Sequence, residues 1–156
     1  MAWSASKIFV STIEDMLENT TALDLNSDTF NVALFDNTIT PDQTVASAST
    51  AYGAGVWLSG PEVEDTTEWP AGGQALGSVT FAPAANVLTF DAADEVSDGT
   101  SATLADVFGC LIYDASVATP VDDQGICYLY FGGTNSVTDG TFTVVFNASG
   151  VFTLTL

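Results

Sequence analysis

The chain has 156 residues, about one domain's worth, and 47% of them are apolar, enough to fill a core and to exclude a disordered acidic tail. Twenty Asp and Glu stand against one cation, Lys7, with no Arg and no His, for a net charge of −19. Phosphate backbones are bound through Lys and Arg, so this charge argues against nucleic acid and anionic membrane as partners. Only 13% of residues are charged, which leaves Thr, Ser, Asn, Ala and Gly to make most of the surface.

In chain order, MAWSASKIFV lacks the basic start and unbroken apolar run of a signal peptide, and no stretch approaches the roughly 20 apolar residues that span a bilayer. The expectation is a protein made and folded in a cytoplasm. Ser4–Asn19 reads as an amphipathic helix, capped by Ser4 or Ser6, with Ile8, Phe9, Ile13, Met16 and Leu17 near the spacing of one face. Trp3, just before it, is placed to staple the first turn to the core. Asn19-Thr-Thr is the stop.

Strands and turns follow. Thr29–Phe35 alternates, with Phe30, Val32 and Leu34 on one face, and Asp36-Asn37 turns the chain. Gly77–Ala82 and Val87–Asp91 form a hairpin across Pro83–Asn86. Thr100–Leu104, Val107–Tyr113, Ile126–Phe131, Thr141–Phe146 and Val151–Leu156 complete the set, separated in part by Ser97–Gly99, Thr138–Gly140 and Asn147–Gly150. The fold class is mainly β: a single domain over 1–156, a two-sheet sandwich or jelly-roll-like arrangement with one short N-terminal helix. No internal repeat, heptad or low-complexity tract is present.

Thr40–Gly73 is of another kind. It is rich in Ser, Thr, Ala and Gly, holds Pro41, Pro61 and Pro70, and offers one short strand, Gly55–Ser59. A long irregular segment in a compact domain is usually functional or mobile. Trp57 and Trp69 within it are the candidate interface residues. They serve either as aromatic anchors for a partner or as pins that hold the segment to its own domain.

The search for chemistry is brief. His, the side chain that most often works as an acid or base near neutral pH, is missing. A serine nucleophile would have only Lys7 as its base, and no nucleophile elbow, phosphate loop or dinucleotide fingerprint occurs. A paired-carboxylate glycosidase is the one enzyme whose residue types are present, without a recognisable acidic cleft. The reading is no enzyme, no catalytic residues and no cofactor. Asp24-Leu-Asn26-Ser-Asp28 begins like a calcium loop, but Thr29 stands in place of the glycine and Phe35 in place of the closing Glu. It reads as a polar turn with no metal. Asp91, Asp94, Glu95, Asp122 and Asp123 have no ligand spacing. Cys110 and Cys127 lie in apolar, strand-like runs and read as buried thiols, a disulfide being the alternative.

The order of segments resembles a family of small bacteriophage virion structural proteins. The matching stretches are Leu23–Asp36 (LDLNSDTFNVALFD), Pro70–Gly77 (PAGGQALG), Val87–Val96 (VLTFDAADEV), Gly109–Asp114 (GCLIYD), Gly125–Gly132 (GICYLYFG) and Gly140–Leu156 (GTFTVVFNASGVFTLTL). They span nearly the whole chain and keep the family's order. The chain departs from the pattern at Ala118–Val121 and at Asp114, which follows Tyr113 where the family often has Lys. The resemblance implies a non-enzymatic virion component, either a head decoration protein or a tail or structural protein, and carries no site residues. Its expected partners are the major capsid protein or other virion proteins, and further copies of itself, a trimer at a capsid axis being the first expectation. The alternatives are a tail or connector subunit, and a receptor- or carbohydrate-binding module of a fibre with Trp57 and Trp69 as sugar platforms.

Overall fold

The computed structural model describes residues 3–156. It is mainly β with one helix, in the order β1 (Lys7–Ile8), α1 (Val10–Glu18), β2 (Phe30–Phe35), β3 (Gln74–Ala75), β4 (Thr80–Ala84), β5 (Val87–Asp91), β6 (Glu95–Val96), β7 (Ala102–Asp114), β8 (Gly125–Gly140), β9 (Thr143–Val144) and β10 (Phe152–Thr155). A five-stranded sheet, β1-β8-β7-β2-β3, faces a three-stranded sheet, β10-β5-β4, and a two-strand ribbon, β6-β9. Every pairing is antiparallel.

The main core fills the space between these layers. Phe30, Val32, Leu34, Cys110, Ile112 and Cys127 of the large sheet meet Phe90 of β5, Val144 of β9 and Phe142 just before it. Phe30 and Phe90 make an edge-on ring contact at 5.2 Å, a geometry that adds to the area they bury. The large sheet is covered on its second face as well. There Ala33, Phe35, Leu111, Tyr113 and Tyr128 pack against Trp3, Phe9, Ile39 and Trp57. The alternate residues of β2 therefore go to two different cores, and all but Asn31 are buried.

Several sequence expectations shift. The helix begins at Val10 rather than Ser4, because Lys7 and Ile8 pair with Tyr128 and Cys127 and hold the chain extended. Neither serine caps it: the N-cap is Phe9, and Ser6 Oγ accepts the Tyr130 amide at 2.9 Å. The stop is as expected, with Asn19 left-handed (φ 55°) and its N–H on the carbonyls of Asp15 and Met16. The face turned to the core carries buried Thr12 and partly buried Met16, continuing from buried Phe9 at the N-cap. Thr12 is fully buried and donates to the Gly125 carbonyl at 2.6 Å. Trp3 lies on the large sheet over the bare backbone of Gly109, where an added Cβ would meet the indole. Its Nε1 donates to the Asp36 carbonyl at 2.7 Å.

The hairpin has a two-residue turn, since β4 runs through Pro83 to Ala84 and Ala85 takes the positive φ. The expected strands Thr100–Leu104 and Val107–Tyr113 fuse into one, β7, which starts at Ala102. A bulge keeps both in the same ladder, with Asp106 left-handed (φ 58°). β8 runs from Gly125 through the expected turn at Thr138 to Gly140. Gly55–Ser59 is turn, not strand.

Candidate interaction surface

The irregular segment 40–73 wraps the edge of the large sheet. The Val63 amide donates to the Leu34 carbonyl and the Asp36 amide to the Pro61 carbonyl, so the segment runs alongside β2 before joining it as β3. Its two tryptophans enter the two cores. Trp57, 1% exposed, contacts the Phe35 ring at 5.1 Å and Trp3 at 5.8 Å. Trp69, 0% exposed, meets Phe142 edge-on at 5.8 Å. In this conformation neither indole offers a face to a sugar or a protein; both pin the segment to its own domain.

Polar groups complete the clasp. Glu62 accepts the Tyr52 hydroxyl and the Gly72 amide, each at 2.7 Å. Tyr113 donates to the Gly72 carbonyl at 2.7 Å and accepts from Asn31 Nδ2 at 3.2 Å. The Tyr52 and Tyr113 rings stack at 5.0 Å, 11° from parallel. Burial pushes the Glu62 carboxyl up, against the two donors that hold it down. Burial likewise pushes the Tyr113 phenol to about 12. Each hydroxyl is used as a hydrogen-bond donor, which is a structural role.

The Asp24–Asp28 turn spends its oxygens on backbone amides. Asp24 Oδ1 accepts from Asn26 N at 2.9 Å, Asp28 Oδ2 from Asp24 N at 2.6 Å and Asn26 Oδ1 from Phe81 N at 3.3 Å. Asp94 Oδ1 is similarly taken by the Phe146 amide at 2.8 Å. Beside the turn, Asp114 is wholly buried at the end of β7. Its Oδ1 accepts the amides of Ser116 (2.7 Å) and Val117 (3.2 Å), while among the described residues its Oδ2 meets no N–H or hydroxyl donor, and the side chain lies against Asp28. Burial, reinforced by the hydrogen bond and charge of Asp28, raises the Asp114 carboxyl to about 6. A proton on Asp114 relieves the contact. Cys110 and Cys127 are free and buried in the main core, and burial raises both thiols, Cys127 to about 12. That is the behaviour of inert core residues.

Exposed large apolar side chains are scattered over Val56, Leu58, Val96, Val145 and Leu156, and two more, Val10 and Leu17, lie together on the helix. Between α1 and the edge strand β10 runs a groove of about 630 Å³, floored by Ile8, Phe9 and Ile13, walled by Val10, Leu17 and Leu154, and carrying Glu14 and Glu18. Leu17 is 83% exposed and Val10 53%, so Leu17 and half-buried Ile13 do not form the helix's buried face. The sequence does hold the signal for this groove. Val10, Ile13 and Leu17 follow an i, i+3, i+7 spacing on a second face, and a helix apolar on two faces has more surface to cover than one core takes.

Comparison of the chain with protein-family models, with curated proteins and with solved structures finds no match.

Proposed function

We propose that this chain is a non-enzymatic structural subunit of a bacteriophage virion, a decoration (cement) protein that binds the outside of the capsid through the major capsid protein. The observation that carries the reading is the ordered resemblance along the chain. Its segments coincide with the framework: Leu23–Asp36 contains β2, Pro70–Gly77 contains β3, Val87–Val96 contains β5 and β6, and Gly109–Asp114 lies in β7 opposite Gly125–Gly132 in β8. The charge fits the same reading, because a net −19 keeps a free subunit soluble and lets it sit outside a DNA-filled shell without capture by nucleic acid. A homo-oligomer, first of all a trimer at a capsid axis, is part of the proposal. A sugar-binding fibre module would need exposed rings at Trp57 and Trp69, and both are buried.

Copy number tests it. Purified virions carrying this protein should contain hundreds of copies, measured by gel densitometry against the major capsid protein. Tens of copies or fewer would replace the decoration reading with a tail, connector or fibre subunit.

A further inference from the structure

We infer that the groove between α1 and β10 is a docking site for an apolar segment flanked by Lys or Arg on another protein. The groove has an apolar floor and wall at Ile13, Val10, Leu17 and Leu154, and it is marked by the carboxylates of Glu14 and Glu18. Leu17 holds its side chain almost entirely in water, so covering it would remove apolar area from solvent without first unpacking anything.

Charge decides the occupant. A second copy of this chain seated on the same groove about a two-fold axis would bring its own Glu14 and Glu18 against the first pair, and each chain has a single Lys and no Arg to offset them. Nucleic acid and anionic lipid are repelled for the same reason. A segment with apolar residues for the floor and Lys or Arg beside them complements both features at once. The cations steer the encounter and the apolar contact holds it. Among the described residues β10 pairs only with β5, so it is an edge strand of the kind that an incoming chain can extend. The inference stands on the groove alone and does not need the virion reading.

The probe is a short amphipathic peptide of Leu and Lys, compared with a peptide of the same charge in which Ser replaces Leu. Both are titrated into the full chain while backbone amide chemical shifts are followed. The Leu/Lys peptide should bind saturably, moving the amides of Val10–Glu18 and Phe152–Thr155. Leu17→Ser should weaken it by about tenfold or more, the scale of one exposed-to-buried leucine, and Val10→Ser should weaken it in the same direction. Glu14→Gln combined with Glu18→Gln should lower affinity at low salt and flatten its salt dependence. Leu17 and Val10 are exposed, so these variants should melt with the wild type.

Equal binding of the two peptides, shifts scattered over the acidic surface, or unchanged affinity in both Leu17→Ser and Val10→Ser would overturn the assignment. So would a concentration-dependent dimer, seen by sedimentation without peptide and lost in Leu17→Ser, which would make the occupant a second copy. Any of these leaves the decoration reading standing, because that reading is decided by copy number.

Discussion

Asp114, fully buried at the end of β7, lies against the carboxyl group of Asp28 while two backbone amides hold its Oδ1. Burial, with Asp28 adding to it, raises the Asp114 carboxyl from 3.8 to about 6. Between those values the native state holds a proton that the unfolded chain has lost. Stability therefore falls as pH rises across that window and levels off above it. Asp114→Asn supplies a permanent N–H toward Asp28 and keeps an oxygen for the Ser116 and Val117 amides. Above about pH 6 the variant should melt higher than the wild type, and the difference should close on acidification toward pH 4. Acidification also relieves the self-repulsion of a −19 chain, but equally in both proteins, so the difference between them is the readout. A variant no more stable than the wild type at neutral pH would show that burial beside Asp28 does not penalise the ionised Asp114 carboxylate.

The tryptophans of the irregular segment should behave as core residues. Trp57→Ala and Trp69→Ala each empty a site that is at most 1% exposed, and each should cost about 3–5 kcal/mol in denaturant unfolding. The two losses should be close to additive, since one ring packs on each face of the large sheet. A cost below about 0.5 kcal/mol, the level of a surface change, would mean that the segment detaches without disturbing the sheet.

How far the sequence reveals this arrangement depends on whether the deciding contact is local. Phe30, Val32 and Leu34 mark one face of β2 by alternation alone, and that face is in the main core. Nothing local says that Ala33 and Phe35 are covered too, because Trp57 reaches them from a segment with no period of its own. The same distance effect moves the helix. Ser4–Phe9 has helical spacing, but pairing with Tyr128 and Cys127, more than a hundred residues away, extends Lys7 and Ile8 and rotates the buried stripe away from Leu17. A tryptophan among glycines and prolines has the same local sequence whether it points inward or outward, so Trp57 and Trp69 as pins become legible only with the packing. The groove was half legible: its apolar spacing is in the sequence, whereas its far wall, Leu154, comes from the opposite end of the chain.

Two adjacent glycines should respond very differently to alanine. Gly72 (φ 86°) and Gly73 (φ 76°) both use the left-handed region, which disfavours a Cβ by about 1–2 kcal/mol. At Gly72 the nearest atom to an added Cβ is the Tyr113 hydroxyl at 3.4 Å, an ordinary contact. At Gly73 it would run into the backbone carbonyl of Val32, where the segment joins β2. Gly72→Ala should therefore cost about 1–2 kcal/mol. Gly73→Ala should cost about 4 kcal/mol or more, the range reserved for a change the backbone cannot absorb. Equal costs in chemical denaturation would mean that the β2–β3 junction yields, and that Gly73 is not needed for the close approach.

The last prediction follows from the proposed decoration role and concerns what would hold the protein on a particle. With one Lys and no Arg, the chain can offer an interface almost no cations, so every ion pair must set its carboxylates against Lys or Arg of the partner. Glu14 and Glu18 beside Val10, Ile13 and Leu17 combine that charge with apolar surface. The two contributions respond differently to salt. In about 1 M NaCl the Debye length falls to roughly 3 Å, which screens exposed charge pairs and leaves buried apolar area nearly untouched. Washing intact virions at that salt should leave the protein attached, while rebinding of purified protein to depleted particles should slow steeply with salt, since steering acts on the on-rate. Quantitative release from intact capsids would mean that attachment is held by ion pairs, and the contact would then lie on the acidic surface away from Leu17. If the protein is retained in salt but Leu17→Ser no longer rebinds at any salt concentration, the α1 groove is the attachment site.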